Sequence, residues 1–139
     1  GTLEQKMAPW TRPIFDVLRE YFYANEIESM IREGVIEISP LAYMRGRTFK
    51  SAFIIADEMQ NATPNQMKML LTRIGSDSKM VVTGDLAQAD RVKDNGLIDF
   101  ITQLKQKDTN YIDVCNFKQS DIERHEAVKE VLEIYGDIA

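Results

Sequence analysis

Apolar residues recur every three or four positions in some stretches and run unbroken in others, which divides the chain into predicted helices and strands. Ile14, Phe15, Leu18, Tyr21 and Phe22 share one face of a helix predicted over residues 11 to 24. A second helix is predicted over residues 26 to 33, with Asn25 as its cap, Glu28 at the third position and Gly34 as its stop. Val35-Ile36-Glu37-Ile38 reads as a short strand and residues 40 to 50 as a loop. Ala52-Phe53-Ile54-Ile55-Ala56 has the continuous apolar run of a strand covered on both faces. Thr63-Pro64-Asn65-Gln66 is a helix start, with a capping Thr, Pro at the first position and Gln closing the box. Met67, Leu70, Leu71 and Ile74 supply that helix's apolar face, and Gly75 stops it. Lys79-Met80-Val81-Val82-Thr83 is another buried-type strand, running into Gly84-Asp85. Residues 96 to 106 form the next predicted helix, with Leu97, Ile98, Ile101 and Leu104 inward. Residues 110 to 117 read as a strand, and Ser120-Asp121-Ile122-Glu123 opens a last helix that Gly136 closes.

Strands separated by helices predict an α/β fold with a parallel sheet and right-handed crossovers. The pair at 35–38 and 52–56 lacks a helix between its members, so residues 39 to 51 must make that crossover. The 139 residues are 44% hydrophobic and 28% charged, the size and balance of one soluble domain able to bury a core without metal or disulfide staples. The single cysteine, Cys115, cannot form an internal disulfide and sits in an apolar stretch, so a small core residue in a reducing compartment is expected. Net charge of -5 disfavours a broad nucleic-acid surface while leaving room for a local basic site. No apolar run approaches the ~20 residues of a membrane span, and the N-terminus lacks a signal-peptide pattern. A cytoplasmic location without membrane contact is the expectation.

Ligands of open parallel sheets sit beyond the carboxyl ends of the strands. Two strands here run into acids at those ends: Ile54-Ile55-Ala56 into Asp57-Glu58, and Val81-Val82-Thr83 into Gly84-Asp85 with Gln88 three residues on. An apolar strand followed by Asp-Glu is a Walker B pattern. Asp57 would hold the water shell of Mg²⁺, a hard cation that prefers oxygen ligands. Glu58 would orient and polarise an attacking water, the positioning that phosphoryl transfer requires. The bland reading is a pair of exposed acids in a turn, and Gly and Asp at 84 and 85 are common turn residues in their own right. Two such motifs on consecutive strands, with one helix between them, favour the chemical reading.

Asp57-Glu58-Met59-Gln60-Asn61 with Thr83-Gly84-Asp85-x-x-Gln88 resembles two linked motifs of superfamily-1 helicase-type ATPases, in which the Gln after Gly-Asp senses the terminal phosphate. Residues 40–48, Thr63-Pro64-x-Gln66-Met67-Lys68-Met69, Leu71-Thr72-Arg73-Ile74-Gly75, Ser78 through Asp85, Gly96-Leu97-Ile98-Asp99 and Arg124-His125 extend the match, over roughly residues 3 to 135, to the PhoH-like family. That resemblance implies a cytoplasmic ATPase with a three-layer, parallel-sheet P-loop NTPase (RecA-like) core, hydrolysing ATP with Mg²⁺ and coupled to RNA. It implies catalytic roles for Glu58 and Gln88, cofactor contacts for Asp57 and Asp85, and the metal on Asp57. Residues 89–95 and Met59 depart from the family's usual sequence.

No Gly-x-x-x-x-Gly-Lys-Ser/Thr occurs in the chain; Arg45-Gly46-Arg47-Thr48 lacks the first Gly and the Lys. Residues 1–139 are therefore expected to be the C-terminal part of one PhoH-like ATPase domain, truncated at the N-terminus, without the phosphate-binding loop and inactive alone. Losing the strand that bears that loop should expose sheet edges, so homo-oligomerisation or re-pairing is expected. Arg45, Arg47 and Thr48 are candidates for contact with RNA or nucleotide phosphates, against the reading of a solvated loop. Arg124, in the last helix's first turns, is a candidate arginine finger toward a neighbouring subunit, against a surface pair with Glu123 or Glu126. His125 and Cys115 have no zinc-type spacing. The alternative from a different class is a non-catalytic RNA-binding or oligomerisation module that kept the sheet and lost the nucleotide.

Overall fold

The computed structural model describes residues 3–137, with side chains described from Pro9 onward. The chain folds as two compact units, Gly1–Gln103 and Leu104–Ala139.

The first unit opens with α1 (Leu3–Leu18), which starts well before the predicted residue 11 and carries Pro9 and Pro13 within it. Past Leu18 the helix unwinds through tighter turns, Glu20 N–H to Val17 O and Tyr21 N–H to Leu18 O, which leaves Tyr21 and Phe22 exposed instead of on a buried face. Helix α2 (Ala24–Arg32) is capped at Tyr23, not Asn25, because Glu26 reaches back to accept from the Tyr23 N–H at 3.1 Å. Gly34 ends it as expected, at φ +78. The residues beyond Gly34 do not form the predicted strand. The amides of Val35 and Ile36 both turn back to Met30 O, at 2.8 and 3.1 Å, so the helix terminus takes the donors that a strand at 35–38 would need.

The sheet has two strands among the described residues, β1 (Phe53–Ala56) and β2 (Lys79–Val82). They pair in parallel with Phe53 opposite Lys79 and Ala56 opposite Val82. The expectation of strands covered on both faces is corrected: Ile54, Ala56, Met80 and Val82 are half-buried, while Phe53, Ile55 and Val81 are exposed. Ahead of β1 the chain already runs alongside the segment ahead of β2, with Phe49 N–H donating to Arg73 O and Gly75 N–H to Phe49 O. A Cβ on Gly75 would stand 2.6 Å from Phe49 O, so this close backbone approach, more than a helix stop, is what Gly75 permits.

Helix α3 (Pro64–Leu71) joins the strands and begins where the sequence predicts. Thr63 Oγ1 accepts from Gln66 N–H at 3.1 Å, and Gln66 Oε1 accepts from Thr63 N–H at 2.9 Å. Its Met67 and Leu70 are the most deeply buried large side chains among the described residues. Thr63→Ala should cost about 1 kcal/mol, the usual loss of an N-cap, read as a lower urea midpoint that Thr63→Ser restores. Helix α4 (Gly96–Leu104) follows, with Leu97, Phe100, Ile101 and Leu104 half-buried and Ile98 turned outward, against expectation.

In the second unit the predicted strand at 110–117 is absent. Two of its backbone groups are taken locally: Val114 N–H donates to its neighbour Asp113, and the Ile112 carbonyl accepts from Thr109 Oγ1. Cys115 is accordingly exposed, not a core residue. The predicted Ser120 capping box is also replaced. Asp121 accepts from Lys118 N–H at 2.7 Å in a 3-10 turn, and helix α5 (Glu126–Ile134) is capped by His125 Nδ1, which accepts from Ala127 N–H at 3.0 Å. Arg124 thus lies ahead of α5 and not in its first turns. Gly136 closes α5 at φ +75. No helix of the described residues is long and apolar enough to cross a membrane.

Candidate nucleotide site at the strand carboxyl ends

Parallel pairing continues past both strands and determines the site. Thr83 N–H donates to Ala56 O and Met59 N–H to Thr83 O, each at 2.9 Å, so the turn after β1 is stitched to the end of β2. Asp57 and Glu58 therefore stand beside Thr83. The Thr83 hydroxyl donates to Asp57 Oδ1 at 2.5 Å and accepts from Glu58 N–H at 3.2 Å. One hydroxyl thereby fixes the orientation of one acid and the backbone of the next.

Glu58 has φ +57 and ψ +49, the left-handed region that a side-chain-bearing residue occupies at a cost. That turn lets the chain leave β1 abruptly while holding the carboxylate at the sheet end. Gln60, only 7% exposed, then bridges the two strand ends. Its Nε2 donates to Glu58 Oε2 at 2.7 Å, and its Oε1 accepts from Asp85 N–H at 3.3 Å. Asp85 uses both oxygens within its own turn, one accepting from Ala87 N–H at 3.0 Å and the other from Gln88 Nε2 at 2.9 Å. Gly84 allows the turns to meet: a Cβ there would lie 2.6 Å from Leu97 Cδ2 and 3.3 Å from Gln60 N.

A hydrogen-bonded line thus runs Glu58–Gln60–Asp85–Gln88, with Asp57 and Thr83 alongside it. Asp57, Glu58, Asp85 and Gln88 are all exposed at this rim. Gln60 and Thr83 carry much of this geometry, and sequence reading assigned neither a role. The signal for Gln60 was its place two residues after Glu58. Thr83 read as the end of a strand and the first residue of the Thr83-Gly84-Asp85 motif, with no contact of its own.

The other candidates are not part of this line. The segment carrying Arg45, Arg47 and Thr48 enters at the amino end of β1, and a four-residue strand spans roughly 13 Å. The Arg47 guanidinium donates to both carboxylate oxygens of Glu37 and lies 4.5 Å over the Phe49 ring, so its charge is already engaged. Hydrogen bonding from Arg47, with its charge adding, holds the Glu37 carboxyl below its ordinary range against the opposing effect of desolvation. Such a group contributes stability above its ordinary pKa and loses that contribution as pH falls through the lowered value. Glu37→Gln should therefore lower the urea midpoint slightly at pH 7, since exposed pairs contribute little, and the difference should vanish in strong acid. Arg124 belongs to the second unit and is exposed. A shallow depression lined by Ser51, Phe53, Asp77 and Lys79 lies at the amino ends of the strands, away from the acids.

Among the described residues no three His, Cys, Asp or Glu side chains converge as a metal cage. Mg²⁺ is ordinarily held by one or two carboxylates together with water and substrate phosphates. Asp57, oriented by Thr83 and exposed, fits that donor set, and it fits a magnesium–nucleotide complex better than a free ion.

The PhoH-like protein family model matches residues 1–136. The chain belongs to this family. PhoH-like proteins of Synechocystis sp. and Bacillus subtilis are each 44% identical to it over 137 residues, covering 97% of this chain and 41% and 42% of those proteins. Protein PhoH of Escherichia coli is 37% identical over 140 residues, covering 98% of this chain and 39% of that protein. The chain spans about two fifths of the length of these curated PhoH relatives. At the level of fold, PhoH membership implies a P-loop NTPase. The described fold agrees in being α/β with a parallel sheet, of two strands among the described residues.

Proposed function

We propose that the full-length protein containing this chain binds Mg-ATP and hydrolyses it at the carboxyl ends of β1 and β2. The observation that carries this reading is the hydrogen-bonded line from Glu58 through Gln60 and Asp85 to Gln88. It joins a water-positioning carboxylate to a phosphate-sensing amide across neighbouring strands. Mg²⁺, when bound, would neutralise charge on the transferring phosphoryl group. Asp57 would hold its water shell, with Thr83 fixing the carboxylate's rotamer. Glu58 has one oxygen engaged by Gln60, and its carboxylate would orient the attacking water. Gln88 would hydrogen-bond the terminal phosphate, held in reach by Asp85. Asp85 would position Gln88 through one oxygen, and its exposed carboxylate keeps lone pairs for the proposed cofactor contact.

Coupling to RNA belongs to the same reading. Arg45 and Thr48 are its proposed phosphate contacts, and Arg47 the weaker candidate because Glu37 already pairs with it. Arg124 is the proposed finger toward a second copy's nucleotide, which requires an oligomer. Phosphate release from Mg-ATP by the full-length protein tests the central claim. No phosphate release above the rate without protein would leave the non-catalytic module as the better account.

A further inference from the structure

The loop after Gln88 is long, polar and exposed, with Val92 83% exposed and Asp94 in the left-handed region at φ +53. A loop of that kind would by itself hold Gln88 loosely. Two asparagines tie it down. Asn61 Oδ1 accepts from Asp90 N–H at 2.8 Å and from Arg91 N–H at 3.3 Å. Asn95, only 4% exposed, donates from Nδ2 to Gln60 O at 2.6 Å and to Arg91 O at 2.9 Å. Its Oδ1 caps α4 by accepting from Leu97 N–H and Ile98 N–H, each at 3.0 Å. Gly96 N–H closes the seam on Ala62 O. Both ends of residues 89–95 are therefore fastened to the turn that carries Glu58 and Gln60.

We propose that Asn61 and Asn95 are positioning residues, a clamp that registers the Gln88 loop on the Glu58 turn. Neither touches nucleotide. Each acts through backbone: Asn61 through the Asp90 and Arg91 amides, Asn95 through the Gln60 and Arg91 carbonyls. The catalytic consequence rests on the Mg-ATP reading; the clamp itself does not. The two residues differ in which atoms they use. Asn61 uses only its oxygen, so an aspartate can replace it. Asn95 uses both ends of its amide, so an aspartate keeps the α4 cap but loses both donors and places a charge against the Gln60 carbonyl oxygen.

The test is made in the full-length protein with Asn61→Ala, Asn61→Asp and Asn95→Asp. Hydrogen exchange is read at the Asp90 and Arg91 amides, together with turnover at saturating Mg-ATP and affinity for ADP. Asn61→Ala and Asn95→Asp should speed exchange at those amides and lower turnover about tenfold, within the range that small misplacements cost. ADP affinity should stay within about twofold, because ADP lacks the phosphate that Gln88 contacts. Asn61→Asp should restore both exchange and turnover. If Asn95→Asp does not fold, the Asn61 pair decides alone, since Asn61 is exposed and its truncation buries no charge. Unchanged exchange in Asn61→Ala would overturn the proposal. So would an Asn61→Asp as impaired as the alanine, or ADP affinity that falls in step with turnover. If exchange responds as expected but Glu58→Gln and Gln88→Ala keep the parent's turnover, the Mg-ATP reading fails and the clamp stands.

Discussion

Glu58→Gln in the full-length protein should lower Mg-ATP turnover by about 10²–10⁴-fold, the range that a positioned acid–base group contributes. The substitution preserves size, and its side-chain oxygen can still accept from Gln60 Nε2, so the turn after β1 should keep its shape. What it loses is the negative charge that polarises water. Nucleotide affinity should stay within a few-fold, because Glu58 is not proposed to touch phosphate or metal. Phosphate release measures the first quantity and equilibrium binding of ADP the second. A variant that turns over as fast as the parent would remove Glu58 from the mechanism. One that fails to bind nucleotide would make its role structural.

Gly96→Ala should be the most damaging small substitution for stability. On propensity alone it should help, since Ala is favoured over Gly within a helix by up to about 1 kcal/mol. Here the new Cβ would lie 2.3 Å from Thr63 O and 2.6 Å from Met67 Cγ. Met67 is only 2% exposed and the Thr63 carbonyl belongs to the helix start, so neither can give way freely. Overpacking of this kind costs about 1–3 kcal/mol and sometimes more, and the clash is with backbone, so the loss should sit at the upper end. The urea midpoint of the variant reads it directly. A midpoint at or above the parent's would mean that α4 does not sit against the start of α3 as described.

The acidic strand ends were legible in the sequence because their signal is local: an unbroken apolar run followed by acids needs no partner to be recognised. The Thr63 capping box was legible for the same reason, since donor and acceptor lie three residues apart. The strands at 35–38 and 110–117 were misread. Each has strand-like side chains, but strand formation depends on which backbone groups remain free; the end of helix α2 takes the Val35 and Ile36 amides, and the Asp113 and Thr109 side chains take the Val114 amide and the Ile112 carbonyl.

The family, the α/β character and the identity of Asp57, Glu58, Asp85 and Gln88 as candidates came from the order of residues alone. How those candidates are held did not. Gln60 reaches Asp85, Thr83 reaches Asp57 and Asn95 reaches Gln60 across 25, 26 and 35 positions of chain. Contacts over such separations leave no periodicity in a sequence. They exist only once parallel pairing of β1 with β2 has set the register that brings the two turns together.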